Sequence, residues 1–348
     1  MKHKIALIGC GGMAKSHASR FEALLDRLEV TATVDIDLSK AKAVSELLPN
    51  RPPAFIDFQD ALPLCDSVLL VLPHYLHCEY TLACLNAQKN VLAEKPLGNS
   101  EAECLQMIEA AKANQKTLMV AYCVRFNPLI VKMRELLQAE TYGRLFQLSI
   151  WTEQHTEREP SNWMCRADLV GGGQLFSHGC HYIDVMLWMV GSKPLIGSHI
   201  GTNRGTPWME REGTSNVSIK FENGVLGYHF GTWGARGTKL HYSFQAYCEE
   251  GMLELDYTGG KLLFHSNLEK HMPGEMEKKN EPKLLLEASS VKSTAIEMAH
   301  FLDCIERSET PLTDPVSSTE GLKIIWKLYE AEDKNQLADL TGIIKDFK

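Results

Sequence analysis

Three sets of residues in this 348-residue chain have types and spacings that could do chemistry. Lys95 follows a strand-like run, Asn90 to Ala93, and stands between Glu94 and Pro96. A lysine at a strand end beside a proline is held rigidly, and its ammonium can donate to a substrate hydroxyl and stabilise the oxyanion that develops as hydride leaves the carbon bearing it. A solvated surface lysine is the plain alternative. His181 and Asp184 share one face of a helix that begins near Gly179. A carboxylate one turn away can orient the ring and stabilise the imidazolium formed when a hydroxyl proton is taken. A satisfied structural histidine is the alternative here.

The third set is a glycine-rich turn. Ile5 to Ile8 is a buried-strand run, and Gly9, Gly11 and Ala14 occupy the first, third and sixth places of a Gly-x-Gly-x-x-Gly/Ala fingerprint, with Gly12 and Met13 in the turn. Small residues at those places allow a tight turn, close approach to a pyrophosphate and close packing of helix on strand. Val30 to Val34 then ends at Asp35, where the fingerprint wants an acid for the ribose hydroxyls of a dinucleotide. Asp35 repels a 2′-phosphate, so the expected cofactor is NAD rather than NADP. Asp37 reads as a solvated loop carboxylate.

The elements that must position these residues imply two domains, expected at 1–122 and 123–348. With 44% apolar and 23% charged residues each half can bury a core, and a net charge of -8 argues against nucleic acid or an anionic membrane as partner. No apolar run reaches membrane-spanning length, and Met1-Lys2-His3 leads directly into the first strand, so the expectation is a cytoplasmic protein. Ten scattered cysteines without a Cys-x-x-Cys pair read as reduced core thiols, with no disulfide and no zinc site.

The first half alternates strands and helices, the pattern of a doubly wound parallel sheet. Helices are expected at Leu38–Leu48, about Glu79–Ala87 and 101–114, the last with Ala102, Leu105, Ile108 and Ala111 as its apolar face; strands are expected at Val68–Leu72 and Thr117–Ala121. Pro73, His74 and His77 fall at a strand's carboxyl end, where such folds bind ligands. His77 could contact cofactor or substrate, or serve only to start its helix.

The ordered set of Gly9, Pro73 to His77, Glu94-Lys95-Pro96, Arg125-Phe126-Asn127-Pro128 and Gly171 to Asp184 resembles the Gfo/Idh/MocA oxidoreductases across nearly the whole chain. That family is named after glucose-fructose oxidoreductase, inositol dehydrogenase and a rhizopine-catabolism protein. The resemblance implies that Glu94-Lys95-Pro96 sits beside the nicotinamide, that His181 is the acid/base with Asp184 accompanying it, and that a carbohydrate is the substrate. Many members carry an aspartate two residues before the glycine read here as Gly179. This chain has Ser177 there, followed by His178, which leaves His178 as a second acid/base, a sugar-binding group or a packing residue. A metal held by His178, Cys180 and His181 would lack a fourth ligand at familiar spacing, so none is expected.

Beyond Asn127-Pro128, a helix start with Ile130, Met133, Leu136 and Leu137 on its apolar face, the hydrophobic period becomes two. Phe146, Leu148 and Ile150; Val217, Ile219 and Phe221; Leu240, Tyr242 and Phe244; and Leu253, Leu255 and Tyr257 alternate with polar residues. These runs imply an α+β domain with a large, mostly antiparallel open sheet, buried on one face. The outer face either meets water or, as the resemblance implies, pairs with another subunit in a homodimer or homotetramer. Tyr122, Arg125, Trp151, Trp163 and Arg166 are the aromatic and polar candidates for sugar contacts. The charged segment 266–283 reads as a solvated loop, and Met298, Phe301, Leu302 and Ile305, then Leu322, Ile325, Trp326 and Tyr329, mark two amphipathic helices that pack on the sheet or return to the first domain.

The expected activity is NAD-dependent oxidation of a secondary hydroxyl on a sugar, polyol or derivative. The rival is glycoside cleavage by transient oxidation, elimination and re-reduction; a non-catalytic dinucleotide sensor is the third class.

Overall fold

The structure, a computed structural model, describes residues 2–266, 281–289 and 292–345. Most of the charged segment 266–283 lies outside the described residues. The chain forms two compact units: Met1–Phe126 with Leu169–Gly171 and Ser293–Thr319, and Asn127–Asp168 with Gly172–Lys292 and Glu320–Lys348.

The first unit is built on strands β1 (His3–Ile8), β2 (Leu28–Val34), β3 (Ala54–Phe55), β4 (Ser67–Leu70), β5 (Asn90–Ala93) and β6 (Leu118–Val120). All pairs are parallel, in the order β3-β2-β1-β4-β5-β6. Their apolar runs are continuous because helices cover both faces; Ile5 to Ile8, Val68 to Leu70 and Val91 to Ala93 are almost fully buried. Helices α1 (Gly12–Ala18), α2 (Leu38–Ser45), α3 (His77–Asn86) and α4 (Glu101–Ala113) make the crossovers. Asp37 is no idle loop acid: its Oδ1 accepts from the Ser39 N–H at 3.0 Å and caps α2.

The apolar face of α4 differs from expectation. Cys104, Met107 and Ala111 are buried, while Ala102 and Leu105 face out. A strict three-residue spacing drifts around a helix of 3.6 residues per turn, and the i, i+3, i+7 set is the one that stays on the core. The helix Thr294–Arg307 belongs to this unit, and its Met298, Phe301 and Leu302 share a core with Phe21, Leu24 and Phe126.

In the second unit, α5 (Pro128–Gln138) starts where expected, with Asn127 Oδ1 accepting from Leu129 N at 2.9 Å. The sheet holds β7 (Leu145–Glu153), β8 (Pro194–Thr202), β9 (Thr214–Phe221), β10 (Leu226–Thr232), β11 (Tyr242–Cys248), β12 (Gly251–Asp256), β13 (Lys261–His265), β14 (Lys283–Glu287) and β15 (Ala338–Asp339). Among the described residues the order is β14-β13-β12-β11-β7-β10-β9-β8-β15, with only β7 and β10 parallel. Leu148, Ile150, Val217, Ile219, Phe244, Ala246, Leu253 and Leu255 form its buried face. Leu240 falls outside β11 because His241 turns the chain with φ 49°, and Tyr257 lies past the end of β12. The remaining helices are α6 (Ala167–Val170), α7 (Cys180–Val190), α8 (Thr294–Arg307) and α9 (Pro315–Asp333). The ten cysteines are free thiols, and among the described residues no helix is long and apolar enough to cross a membrane.

One backbone approach decides the geometry of the first unit. Gly9 has φ +91°, and a Cβ built on it would lie 2.1 Å from the Val71 carbonyl oxygen just past β4. Gly9→Ala should therefore cost more than the roughly 1–3 kcal/mol of left-handed backbone strain alone. Gly224→Ala is the control, because φ is +87° there but no atom lies within 4 Å. Thermal melts should show a larger loss for Gly9→Ala, with weakened NAD binding by calorimetry for that variant only; equal losses would contradict the close-approach account.

Candidate active site

The carboxyl ends of β1 and β4 lie side by side where the strand order reverses, the place at which doubly wound sheets bind ligands. Gly11 and Gly12 have no atom within 4 Å of a would-be Cβ, so the turn offers open backbone to a pyrophosphate. Asp35, at the end of β2, is fixed by two amides: Oδ2 accepts from Cys10 N at 2.8 Å and Oδ1 from Asp37 N at 2.9 Å. Burial and the Asp35 charge push the Cys10 thiol up to about 12, so no second anion forms beside the carboxylate. Met13 is half-buried on α1. These residues fit a dinucleotide with an unphosphorylated ribose.

At the end of β5, Glu94 is buried and Lys95 half-buried. Glu94 Oε1 lies 2.9 Å from Nε2 of His17, a fully buried ring on α1, which ties the motif to the helix that follows the glycine turn. His77 Nδ1 lies 2.7 Å from the Pro96 carbonyl and Nε2 2.9 Å from the Leu72 carbonyl. Burial lowers its pKa, so the neutral ring donates to one of these carbonyls at a time and bridges the loops after β4 and β5. His74, after Pro73, is buried with Nδ1 at 2.8 Å from the Val170 carbonyl. Burial holds it well below its ordinary pKa, so Nδ1 carries the proton and donates. Tyr122 is almost fully buried, and Arg125, also buried, donates from Nη1 to the Leu312 carbonyl at 3.1 Å.

In the second unit His181 and Asp184 lie on α7, buried at 6% and 3% exposure. The helix is entered through a π-helical turn, Leu175–Gly179, that carries Ser177 and His178. Helical structure therefore begins ahead of Gly179, and the reason lies in its amides. Gly173 N and Phe176 N donate to the Tyr329 hydroxyl at 3.1 and 3.2 Å, Gln174 N to the Glu212 carbonyl at 2.8 Å, and Leu175 N to Glu212 Oε1 at 3.0 Å. The Tyr329 hydroxyl in turn donates to Glu212 Oε1 at 2.7 Å. A helix start leaves such amides without partners, and here Glu212 and Tyr329 satisfy four in a row. The glutamate fits only because residue 173 is glycine, where a Cβ would lie 2.1 Å from Glu212 Oε2.

Around His178 and His181, α7, β11 and the residue after β10 supply rings. His178 lies 6.2 Å from His181 edge-on, 5.2 Å from Tyr182, 5.8 Å from Tyr242 and 6.3 Å from Trp233. Ser215 Oγ lies 3.1 Å from Gln174 Oε1, and Gln174 Nε2 lies 3.3 Å from His178 Nδ1, so the amide links the serine to the ring. Tyr182 stacks at 5.5 Å on His229, which burial drives down to about 3 and so keeps neutral. Tyr242 donates to Gln154 Oε1, and burial pushes its phenol up to about 12.

Not every sequence candidate joins this cluster. Thr152 of β7 faces His229, and strand alternation puts Trp151 on the opposite face, edge-on to Tyr228 at 6.1 Å. Arg166 is exposed and forked onto Asp168 at 3.2 and 2.8 Å. Trp163, half-buried, opens the short turn Trp163–Cys165. Sequence reading missed Glu212, Tyr329, Tyr182, Trp233 and His229. The run Gly171-Gly172-Gly173 is the one local signal of a close approach at this point, and it does not name the partner. Among the described residues no group of three or more His, Cys, Asp and Glu side chains could hold a metal.

Comparison with known proteins identifies both units. Residues 3–122 match a family model described as an oxidoreductase family with an NAD-binding Rossmann fold, and residues 130–254 match the GFO/IDH/MocA C-terminal domain. The chain belongs to the Gfo/Idh/MocA family. Its first unit is that family's NAD-binding fold. Relatives include inositol 2-dehydrogenase 2 of Saccharopolyspora erythraea, 27% identical over 233 residues and 65% of each chain. Levoglucosan dehydrogenase of Pseudarthrobacter phenanthrenivorans is 23% identical over 288 residues and 73% of each. The match thus spans just under two thirds of the first relative's length. Among solved structures, levoglucosan dehydrogenase in complex with NADH and levoglucosan superposes with a TM-score of 0.85 at 18% identity, covering 98% of this chain and 100% of that one. Aldose-aldose oxidoreductase from Caulobacter crescentus gives 0.81 at 22% identity, with 98% and 100% covered.

Removing the Tyr329 hydroxyl should unmake the clamp in this Gfo/Idh/MocA chain. Tyr329→Phe should lose about 1–3 kcal/mol in denaturant unfolding. Burial raises the Glu212 pKa, so the folded chain holds that proton more tightly than the unfolded one. Its stabilising contribution is then complete below the ordinary glutamate pKa and lost as pH rises through the raised value. Glu212→Gln should flatten that part of the melting-temperature profile; an unchanged slope would show that Glu212 does not titrate there.

Proposed function

We propose that this chain is an NAD-dependent dehydrogenase that oxidises a secondary hydroxyl of a sugar or polyol. The observation that carries the reading is a buried histidine, His181, one helical turn from Asp184 and set among aromatic rings, in a chain whose other unit is an NAD-binding fold. Aromatic faces cover sugar C–H surfaces, while the polar edges of Tyr and His meet hydroxyls. The names of the relatives, inositol and levoglucosan dehydrogenases, support the same substrate class.

In this reading His181 accepts the hydroxyl proton, and Asp184 orients the ring and stabilises the imidazolium. Lys95 donates to the same oxygen and stabilises negative charge as it develops. Gly9, Gly11, Gly12 and Met13 would hold the phosphates of NAD, Asp35 its ribose, and Pro73, His74 and Glu94 would border the nicotinamide, which would supply the hydride acceptor. His77 supports that border through Leu72 and Pro96. Tyr122, Arg125, Trp163, Arg166 and His178 remain the proposed substrate contacts. A redox-neutral glycosidase is the second reading, favoured by a second imidazole, His178, 6.2 Å from His181. Nine of the ten cysteines are buried as free thiols, which suits the cytoplasm.

The outer face of the nine-stranded sheet supports assembly. Ile196, Ile200, Leu226 and Tyr247 are 38%, 70%, 47% and 37% exposed there. Exposed apolar side chains on one sheet face suit an interaction site, and we assign it to a second copy of the chain. Ile200→Glu should shift light-scattering mass toward the monomer; an unchanged mass would rule this face out.

Lys95→Ala and His181→Ala should each lower kcat by about 10²–10⁴ while NAD affinity stays within about threefold. NADH absorbance with myo-inositol, levoglucosan and a hexose panel, beside NAD calorimetry, reads both quantities. Stoichiometric NADH supports the dehydrogenase, and aglycone release from aryl glycosides without net NADH supports the glycosidase. Full turnover in both variants would refute the assignments.

A further inference from the structure

A second concave site lies in the same unit as His181. An open pocket of about 400 Å³ is lined by Glu157, Arg158, Glu159, Asn162 and Trp208. That volume falls within the range of small-molecule sites. The pocket wall is braced: Asn162 N donates to the Glu159 carbonyl at 2.8 Å, Glu210 N to the Cys165 carbonyl at 3.0 Å, and Ala167 N to Glu210 Oε2 at 2.8 Å. Gly205 and Gly234 let the Trp208 loop come in close, since a Cβ on Gly234 would lie 3.0 Å from the Gly205 carbonyl oxygen.

The pocket is joined to the catalytic histidine by rings. Trp208 stacks on Trp233 at 6.4 Å and 17°, Trp233 lies 6.3 Å from His178, and His178 lies 6.2 Å from His181. Trp208 is thus three ring-to-ring steps from the proposed base. The pocket is set off from His181 by two intervening rings, so it would be reached from a pyranose at His181 only by what is attached to that ring. The side chains there are an indole face, two carboxylates, a guanidinium and an amide, a set that stacks on C–H surfaces and hydrogen-bonds paired hydroxyls. Two carboxylates against one guanidinium also oppose a diphosphate, which disfavours a nucleotide sugar.

We propose that the Trp208 pocket is a second saccharide subsite, and that the substrate is a neutral glycoside or short oligosaccharide. One ring is oxidised at His181 and the adjoining part is gripped by Trp208, Arg158 and the flanking carboxylates. The proposal rests on the dehydrogenase reading for its chemistry but not for its binding, and the test separates the two.

Calorimetry on the full chain saturated with NADH would compare cellobiose, lactose, maltose and trehalose with glucose and galactose. The best-bound disaccharide should bind at least about tenfold more tightly than its component monosaccharides. Trp208→Ala should remove that advantage and leave monosaccharide binding unchanged. Arg158→Ala, on an exposed loop and so without consequence for folding, should weaken the disaccharide alone. With NAD, kcat/KM should follow the same order. Equal affinity for disaccharides and monosaccharides, equal losses for both in Trp208→Ala, or tighter binding of UDP-glucose than of any disaccharide would overturn the subsite. Trp208-dependent disaccharide binding without NADH formation would uphold the subsite and sink the dehydrogenase reading.

Discussion

Four consecutive amides, from residue 173 to residue 176, have to find acceptors inside the second unit, and Glu212 and Tyr329 provide them. An unmet buried amide would cost on the order of 1–3 kcal/mol, so this constraint fixes where the helical segment starts and how it is turned. Everything proposed for His178 and His181 depends on that rotation. The π-helical turn Leu175–Gly179 starts within the clamped amides and puts His178 and His181 in edge-on ring contact. The clamp itself is supported behind: Tyr329 packs edge-on against His199, which pairs with Glu332 at 2.7 Å, and the Arg211 guanidinium lies 4.5 Å over the Tyr329 ring.

The first unit depends on an equally local condition. Gly9 brings the turn after β1 against the Val71 carbonyl, which leaves Gly11 and Gly12 facing open space and puts Cys10 N within reach of Asp35. Backbone geometry thus orients Asp35, and the turn offers main chain rather than side chains to the phosphates of a dinucleotide. The Glu94 to His17 contact then couples the lysine motif to the helix that follows this turn. Lys95 owes its placement to that coupling and to the short strand β5 before it.

Much of this was legible because the signals are local. Continuous apolar runs gave the parallel strands other than the two-residue β3, the fingerprint spacing gave the turn, and Asp35 followed at the end of the next strand. Period two gave β7, β9, β11 and β12. The strands β8 and β10 escaped detection because their inward positions are Gly197, His199 and Gly201, and Gly227, His229 and Gly231. Those positions stay small because Met186 and Gln174 crowd against Gly227 and Gly231, so burial there leaves no apolar alternation. Glu212 and Tyr329 were illegible for another reason: they are 117 residues apart, and nothing in either neighbourhood names the other. The same holds for Trp208 and Trp233, whose stacking depends on a glycine-on-glycine contact between loops.

The central claim is chemical: one hydroxyl loses its proton to His181 and its developing charge is met by Lys95. A crystal structure of the ternary complex with NAD and the best disaccharide or polyol substrate measures this most directly. The account predicts that the hydroxyl on the carbon nearest nicotinamide C4 lies within about 3.2 Å of both Lys95 Nζ and a His181 ring nitrogen. A complex in which that hydroxyl is held by neither residue would contradict it.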